Sequence, residues 1–313
     1  KRELSRFLVT RGVWLIVLEF TVVRFAVGLN LDYGAFPGFM QVIFALGVSM
    51  IVLAALIHLP LRAVTGIGLA IVVLHNLLDG VRVETPASGV LESMWMVLHQ
   101  PGIVLLGAPV FVLYPVLPWI GVMALGYALG SVYQWPPERR RRFLLRAGLA
   151  AIAAFVAIRA ANVYGDPARW SGQDGAVFTL LSFLNTSKYP PSLLFLLMTL
   201  GPALLALAWF ERTGRGVLGR ALVTFGRVPL FFYVLQWLAA HALAIAAGLL
   251  AGQTVAYQFL DPMTRFANPP PDVGFGLEVT YLLWLLGVLL LYPLCRWFAG
   301  VKRRRSEWWL SYL

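Results

Sequence analysis

The sequence predicts an all-α integral membrane protein, a polytopic helix bundle with about eight transmembrane helices. Of its 313 residues, 60% are hydrophobic and only 12% charged, where ordinary globular domains are roughly half apolar and a quarter charged. Several charge-free runs reach or approach the roughly 20 residues that cross about 30 Å of hydrocarbon as a helix, whereas a β-barrel would show short alternating segments. The basic residues fall in the gaps between these runs, as the sidedness of membrane loops requires.

The expected crossings lie near 13–29, 40–57, 63–78, 108–132, 143–161, 190–210, 228–250 and 279–299. Two runs are too long for one span and too short for two. Gly102 to Tyr133 carries no charge and holds Pro109, Pro115 and Pro118, and Val228 to Leu260 has the same character. Each is expected to form one helix with an interfacial or re-entrant approach.

Charge tests this parity independently, because cytoplasmic loops carry the Lys/Arg excess. With the first residue inside, Lys1, Arg2, Arg6, Arg11, Arg62, the run ERRRR at 138–142, Arg146, Arg212, Arg215, Arg220 and KRRR at 302–305 share one side. The other side receives Arg82, Arg169, Lys188 and Arg265, together with Asp32, Asp79, Glu84, Glu92, Asp166, Asp174, Asp261, Asp272 and Glu278. The expectation is a multi-pass protein of the cell inner membrane with both ends of this chain cytoplasmic. SEWWLSYL at 306–313 has the aromatic character of a segment at headgroup level.

A formal net charge of +11 could suggest nucleic acid in a soluble protein, but orientation in the membrane accounts for it here. No nucleic-acid partner is expected, while the lipid bilayer is one by necessity and an oligomer is compatible with the sequence. Cys295 is the only cysteine and lies in an apolar run, so no intrachain disulfide can form, and no Cys/His spacing suggests a metal. There is no internal repeat and no linker long enough to separate a pair of domains, so residues 1–313 are expected to form one transmembrane domain. The chain opens on Lys1 without a Met or a signal-peptide pattern, and spans are expected to precede it.

Polar groups at or within the membrane are costly, so they are the candidate functional residues. LHNLLDG at 74–80 places His75 and Asp79 four apart on one helix face, with Asn76 beside them. A carboxylate one turn away can fix a histidine's tautomer and raise its basicity, as a general base requires. The alternative is a hydrogen-bonded helix end terminated by Gly80. Glu19 and Arg24 sit about 140° apart around a helix, so each needs a partner elsewhere, as does Arg159. Asn30, Asp32 and Tyr33 follow in LNLDYG and face either a polar substrate or water.

FLNTSKYPPSLLF at 183–195 sets Asn185, Lys188 and Tyr189 against one of the most apolar runs in the chain. Pro190 and Pro191 suit the first turn of a helix and push Tyr189 towards an extended backbone. Lys188 lies on the side where lysine is otherwise scarce, so it is either a ligand contact on a rigid loop or an anchor or ion pair with an acid such as Asp166. Arg227, opening FGRVPLFFYVL at 225–235, could hold a phosphate of a ligand or of an anionic lipid. His241 lies deep in the following helix, and His99 in VLHQPG shows no partner and has the look of an ordinary loop residue.

Taken together, VTRGVWLIVLEF at 9–20, HNLLDG at 75–80, LYPVLPWIGVMALGYALG at 113–130, FLNTSKYPPSLLFLLMTLGP at 183–202, FGRVPLFFYVL and the terminal WWLSYL resemble bacterial membrane proteins of the heparan-alpha-glucosaminide N-acetyltransferase catalytic family. The resemblance spans essentially the whole chain. It implies a transmembrane acyltransferase that takes an acetyl group from cytosolic acetyl-CoA, a co-substrate rather than a tightly bound cofactor, and delivers it to a sugar amine or hydroxyl on the far side. Family members carry further spans before the region where this chain begins, and the histidine implicated in the lysosomal enzyme's chemistry lies in them, so His75 stands on its geometry alone. A transporter or lipid-handling protein would use the same buried polar groups as a path.

The functional expectation is therefore acyl transfer from acyl-CoA to a sugar-like acceptor. His75 and Asp79 would supply the base; Arg24, Asn30, Asp32, Asn76, Asn185, Lys188 and Tyr189 would contact the acceptor; Arg227 would hold the donor.

Overall fold

Apolar runs without charge can satisfy their backbone groups in lipid only by closing hydrogen bonds within the segment, and the chain does so with helices. In the computed structural model, which describes residues 1–34, 36–213, 216–305, 307 and 310, five helices among the described residues are long and apolar enough to cross a membrane. They are Leu61–Leu78, Pro137–Ala161, Leu193–Glu211, Pro229–Leu250 and Leu277–Arg304. At ~1.5 Å per residue they measure about 27 to 42 Å, enough for a hydrocarbon core of about 30 Å. The protein is a predominantly helical membrane protein. Arg215 and most of the aromatic terminus 306–313 lie outside the described residues.

Five of the eight expected crossings thus appear, and a count of eight is not supported. Each of the other three is altered by a local feature. The stretch 13–29 is divided between the Arg2–Leu18 helix, a widened π turn at Glu19–Val23 and a short Arg24–Gly28 helix ended by Leu29 in the left-handed region. The stretch 40–57 condenses to a 15-residue helix, Val42–Leu56. The long run from Gly102 forms a β-hairpin, Gly102–Leu105 antiparallel to Pro109–Val112, before the 14-residue helix Leu117–Gly130 begins with Pro118 in its first turn. The approach expected to be interfacial or re-entrant is therefore extended chain.

The hairpin's polar backbone is not left bare. Ala87 pairs with it through its N-H to Ile103 and its carbonyl to Leu105, while the Met40 carbonyl accepts from Leu113 and Tyr114. Only such internal pairing lets non-helical backbone persist in apolar surroundings.

The chain groups into two compact units: Lys1–Ile16 with Met40–Thr213, and Val17–Phe39 with Gly214–Leu313. In the first, glycines bring helix backbones together. A Cβ at Gly148 would lie 2.9 Å from the Gly201 carbonyl oxygen and 2.8 Å from Leu205, so Pro137–Ala161 and Leu193–Thr213 touch backbone to backbone there. Gly12 with Gly47, and Gly68 with Gly121, make similar approaches. Small residues at crossings are how helices gain contact where lipid is as apolar as leucine. In the second unit, Val228, Cys295 and Phe298 form a buried cluster, with the Phe231 and Phe298 rings stacked at 4.3 Å.

Candidate functional site

The end of the Leu61–Leu74 helix decides the chemistry of HNLLDG. Instead of continuing as an α-helix, His75–Leu78 tightens into a 3₁₀ turn. In that geometry residues three apart eclipse, rather than residues four apart sharing a face. Asn76 and Asp79 consequently meet, with Asn76 Nδ2 donating to Asp79 Oδ2 at 2.8 Å.

His75, only 2% exposed, points away from Asp79. Its Nδ1 faces the carbonyls of Ile71 and Val72 at 3.0 and 3.1 Å, and its Nε2 faces that of Pro191 at 3.0 Å. Both ring nitrogens are thus turned towards backbone carbonyls, so neither is aimed at a substrate. Asn76 Oδ1 accepts from the Leu193 N-H at 2.9 Å. His75 and Asn76 together fasten this helix end to the start of the Leu193–Thr213 helix.

The carboxylate–histidine pair is formed by a residue that sequence reasoning passed over. His99 caps the Val90–Leu98 helix at its C-terminal end and is 3% exposed. Its Nε2 lies 3.0 Å from Asp79 Oδ1. Burial alone would raise the Asp79 carboxyl, but the hydrogen bonds from His99 and Asn76 outweigh it and hold the group below its ordinary value. Asp79 is therefore ionised near neutrality and accepts, so His99 carries its proton on Nε2. Its Nδ1 is a buried atom with no hydrogen-bond partner among the described residues, and in the neutral imidazole that atom holds the lone pair. The Trp95 and His75 rings flank the His99 ring, with centroids 5.5 and 5.9 Å from its own.

Asn185, Lys188 and Tyr189 lie in the same unit, on a loop held from below by Asp166. That carboxylate accepts from the Ser187 N-H at 2.8 Å, the Ser187 hydroxyl at 3.1 Å and the Ser192 hydroxyl at 2.6 Å. Ser192 Oγ in turn accepts from the Phe195 N-H at 3.0 Å, capping the helix that follows. Asp166 thus holds the loop backbone. Lys188 instead places its ammonium 5.2 Å from the centre of the Tyr189 ring and 5.7 Å from that of Tyr114. Burial would lower the Lys188 ammonium, but the two tyrosines more than compensate and raise it, so it stays charged. Asn185 is exposed and borders an open cavity of about 590 Å³ with Gln173, Phe178 and Ser182.

Arg159 meets no carboxylate among the described residues. Its guanidinium donates to the carbonyls of Phe183, Ala168, Ser182 and Asn185 at 2.9, 2.7, 3.0 and 2.6 Å. Three of these end the Ala176–Leu184 helix, where a cation offsets the helix dipole and satisfies orphan carbonyls.

In the second unit Arg24, Asn30 and Asp32 form a cluster of their own. Arg24 donates through Nε to the Phe36 carbonyl at 2.8 Å, and through Nη2 to Asn30 Oδ1 at 3.0 Å and the Asp32 carbonyl at 2.9 Å. Asn30 Nδ2 donates to the Phe259 carbonyl at 3.1 Å. These groups close a loop on its own backbone. His241 Nδ1 donates to the Ala26 carbonyl at 3.0 Å, and Arg265 donates to its Nε2, fixing that tautomer. Burial lowers the Arg265 guanidinium. Arg227 is the exposed last residue of the Val217–Arg227 helix. Among the described residues, no group of three or more His, Cys, Asp or Glu could hold a metal.

A family model described as heparan-alpha-glucosaminide N-acetyltransferase, catalytic, matches residues 5–164, which include His75, Asp79 and His99. No curated protein and no solved structure matches the chain.

Proposed function

The chain belongs to the heparan-alpha-glucosaminide N-acetyltransferase catalytic family, a family of membrane acetyltransferases, and on that premise we propose that it transfers an acetyl or related acyl group from cytosolic acyl-CoA to an amine or hydroxyl of a sugar-like acceptor at the outer face. In this reading the chain sits in the inner membrane with both ends cytoplasmic, which the split of basic and acidic residues supports.

The observation that carries the reading is the His99–Asp79 pair: a buried imidazole with Nε2 bonded to an ionised carboxylate and Nδ1 unpartnered among the described residues. The proposed base is thus His99, with Asp79 positioning it, and not His75, whose nitrogens both face carbonyls. His99 Nδ1 removes the proton of the acceptor N-H or O-H as the heteroatom attacks the thioester carbonyl. Asp79 stabilises the imidazolium that forms. Collapse of the tetrahedral oxyanion expels CoA as its thiolate, which takes the proton back from His99. Base catalysis of this kind is worth roughly 10² to 10⁴ in rate.

Lys188, charged and presented on a loop pinned by Asp166, contacts the acceptor or the developing oxyanion, with Asn185 and Tyr189 beside it. Arg227 is the proposed contact for a CoA phosphate. Asn76, Arg24, Asn30 and Asp32 are engaged with backbone and neighbouring side chains and serve to hold the scaffold. The test is acyl transfer by the purified full-length protein from acetyl-CoA to a panel of amino sugars, read as acylated product together with free CoA thiol. Hydrolysis without any acylated acceptor would refute the reading.

A further inference from the structure

We propose that the second unit contains a binding site for a neutral, single-chain amphiphile such as a monoacylglycerol. This goes beyond acyl transfer and does not depend on it. The site is a cavity of about 560 Å³ between the Pro229–Leu250 and Leu277–Arg304 helices, closed at one end by the segment 253–258. Its volume lies within the roughly 300–1,000 Å³ typical of small-molecule sites.

The lining sets the ligand class. Along the helices it is apolar, with Leu243, Ala244, Leu283, Gly287, Val288 and Leu291. Among the described residues, no Asp, Glu, Lys or Arg lines it, so neither a phosphate nor a carboxylate would find a counter-ion. Charged heads are disfavoured in such a place because their desolvation is not repaid.

A purely apolar occupant fits no better, because polar side chains line the cavity at both ends, Gln253 and Gln258 beyond the C-terminus of the Pro229–Leu250 helix and Gln236 with Trp237 about 20 Å away towards its start. Gln253 is satisfied by Gly274, donating to its carbonyl at 2.9 Å and accepting from its N-H at 3.1 Å. Gln258 donates to the Tyr257 hydroxyl at 2.7 Å. Trp237, which also lines the cavity, has a buried indole N-H with no partner among the described residues. Indole can only donate. A ligand oxygen would satisfy it, and Gln236 beside it offers both a donor and an acceptor. A hydroxylated or ester head beside Trp237 and Gln236, with one chain lying along the leucines towards the 253–258 segment, meets these features.

The test is native mass spectrometry of the full-length protein, stripped of lipid in detergent and titrated with 1-monooleoylglycerol, oleate or phosphatidylglycerol. One saturable copy of monooleoylglycerol is expected, with the two anions binding at least tenfold more weakly. Ala244→Trp, which fills the cavity, should abolish the copy, while Leu282→Trp, on an exposed face of the same helix bundle, should retain it. Trp237→Phe keeps the shape and removes the donor, and should weaken binding by about 2- to 12-fold, the range one hydrogen bond gives. Equal binding by Ala244→Trp and the unaltered protein, no effect of Trp237→Phe, or preference for either anion would overturn the proposal.

Discussion

His99 donates through Nε2 to Asp79 Oδ1 at 3.0 Å, across 20 residues of sequence, and the Asp79 carboxylate takes a second hydrogen bond from Asn76 at 2.8 Å. Asp79 is thereby committed to His99, and His75, four residues away, is left to the backbone.

This arrangement gives Asp79 a measurable signature in acid. Its carboxyl is held below the ordinary value by His99 and Asn76, so the native state favours the ionised form. The stability it contributes is fully present above the unfolded carboxyl value of about 4 and is lost as pH falls through the lower native value. Thermal unfolding of Asp79→Asn should therefore show lower stability near pH 7 and a flatter decline below about pH 4 than the unaltered protein. Parallel curves for the two proteins would show that the carboxylate is not held in this way.

Loss of His75 should be structural and not chemical. His75→Gln should leave the turnover of folded protein within a few-fold, while stability falls by about 1–3 kcal/mol because the buried hydrogen bond between the imidazole and a backbone carbonyl of Ile71, Val72 or Pro191 is lost. A loss of a hundredfold or more in turnover, at unchanged stability, would return the base role to His75.

The glycine crossing makes a third prediction. Gly148→Ala would drive a methyl group into the Gly201 backbone and Leu205, and overpacking of this kind typically costs about 1–3 kcal/mol. Gly126, whose Cβ would meet nothing within 4 Å, is the matched control and should tolerate Ala without loss. Thermal unfolding in detergent separates the two, and equal behaviour would mean that the helices do not touch at Gly148.

The proposed sidedness is checked by single cysteine tags in a Cys295→Ser background. Tags at 140 and 304 should react only from the cytoplasm and tags at 88 and 170 only from outside. Reaction of 140 and 170 from one side would remove this sidedness.

Much of this was legible in the sequence. Helices of a membrane bundle announce themselves through length and absence of charge, and the five longest fell where the charge-free runs placed them. Where prolines and glycines punctuate an apolar run, as between Gly102 and Leu117, hydropathy could not distinguish a helical approach from a β-hairpin, since both bury the same side chains. In the site, the His75–Asp79 spacing assumed 3.6 residues per turn, and one 3₁₀ turn was enough to rotate the carboxylate onto Asn76 and His99. His99 could not be found by local periodicity, because its partner lies 20 residues away. Its only sequence signal was a histidine beside Gln100 and Pro101 at a helix end, facing a loop already rich in acid. The buried Arg159 was noticed, but carbonyl partners leave no mark in a pattern of charges.

The assignment of His99 as the base is tested most sharply by the pH dependence of acyl transfer from acetyl-CoA by full-length His99→Gln, compared with His75→Gln and the unaltered protein. If His99 is the base, the unaltered protein and His75→Gln share one pH profile, while His99→Gln is slower by roughly 10² to 10⁴ and shows a different one. Folded His99→Gln protein that retains both its rate and its pH profile would exclude His99 from that role.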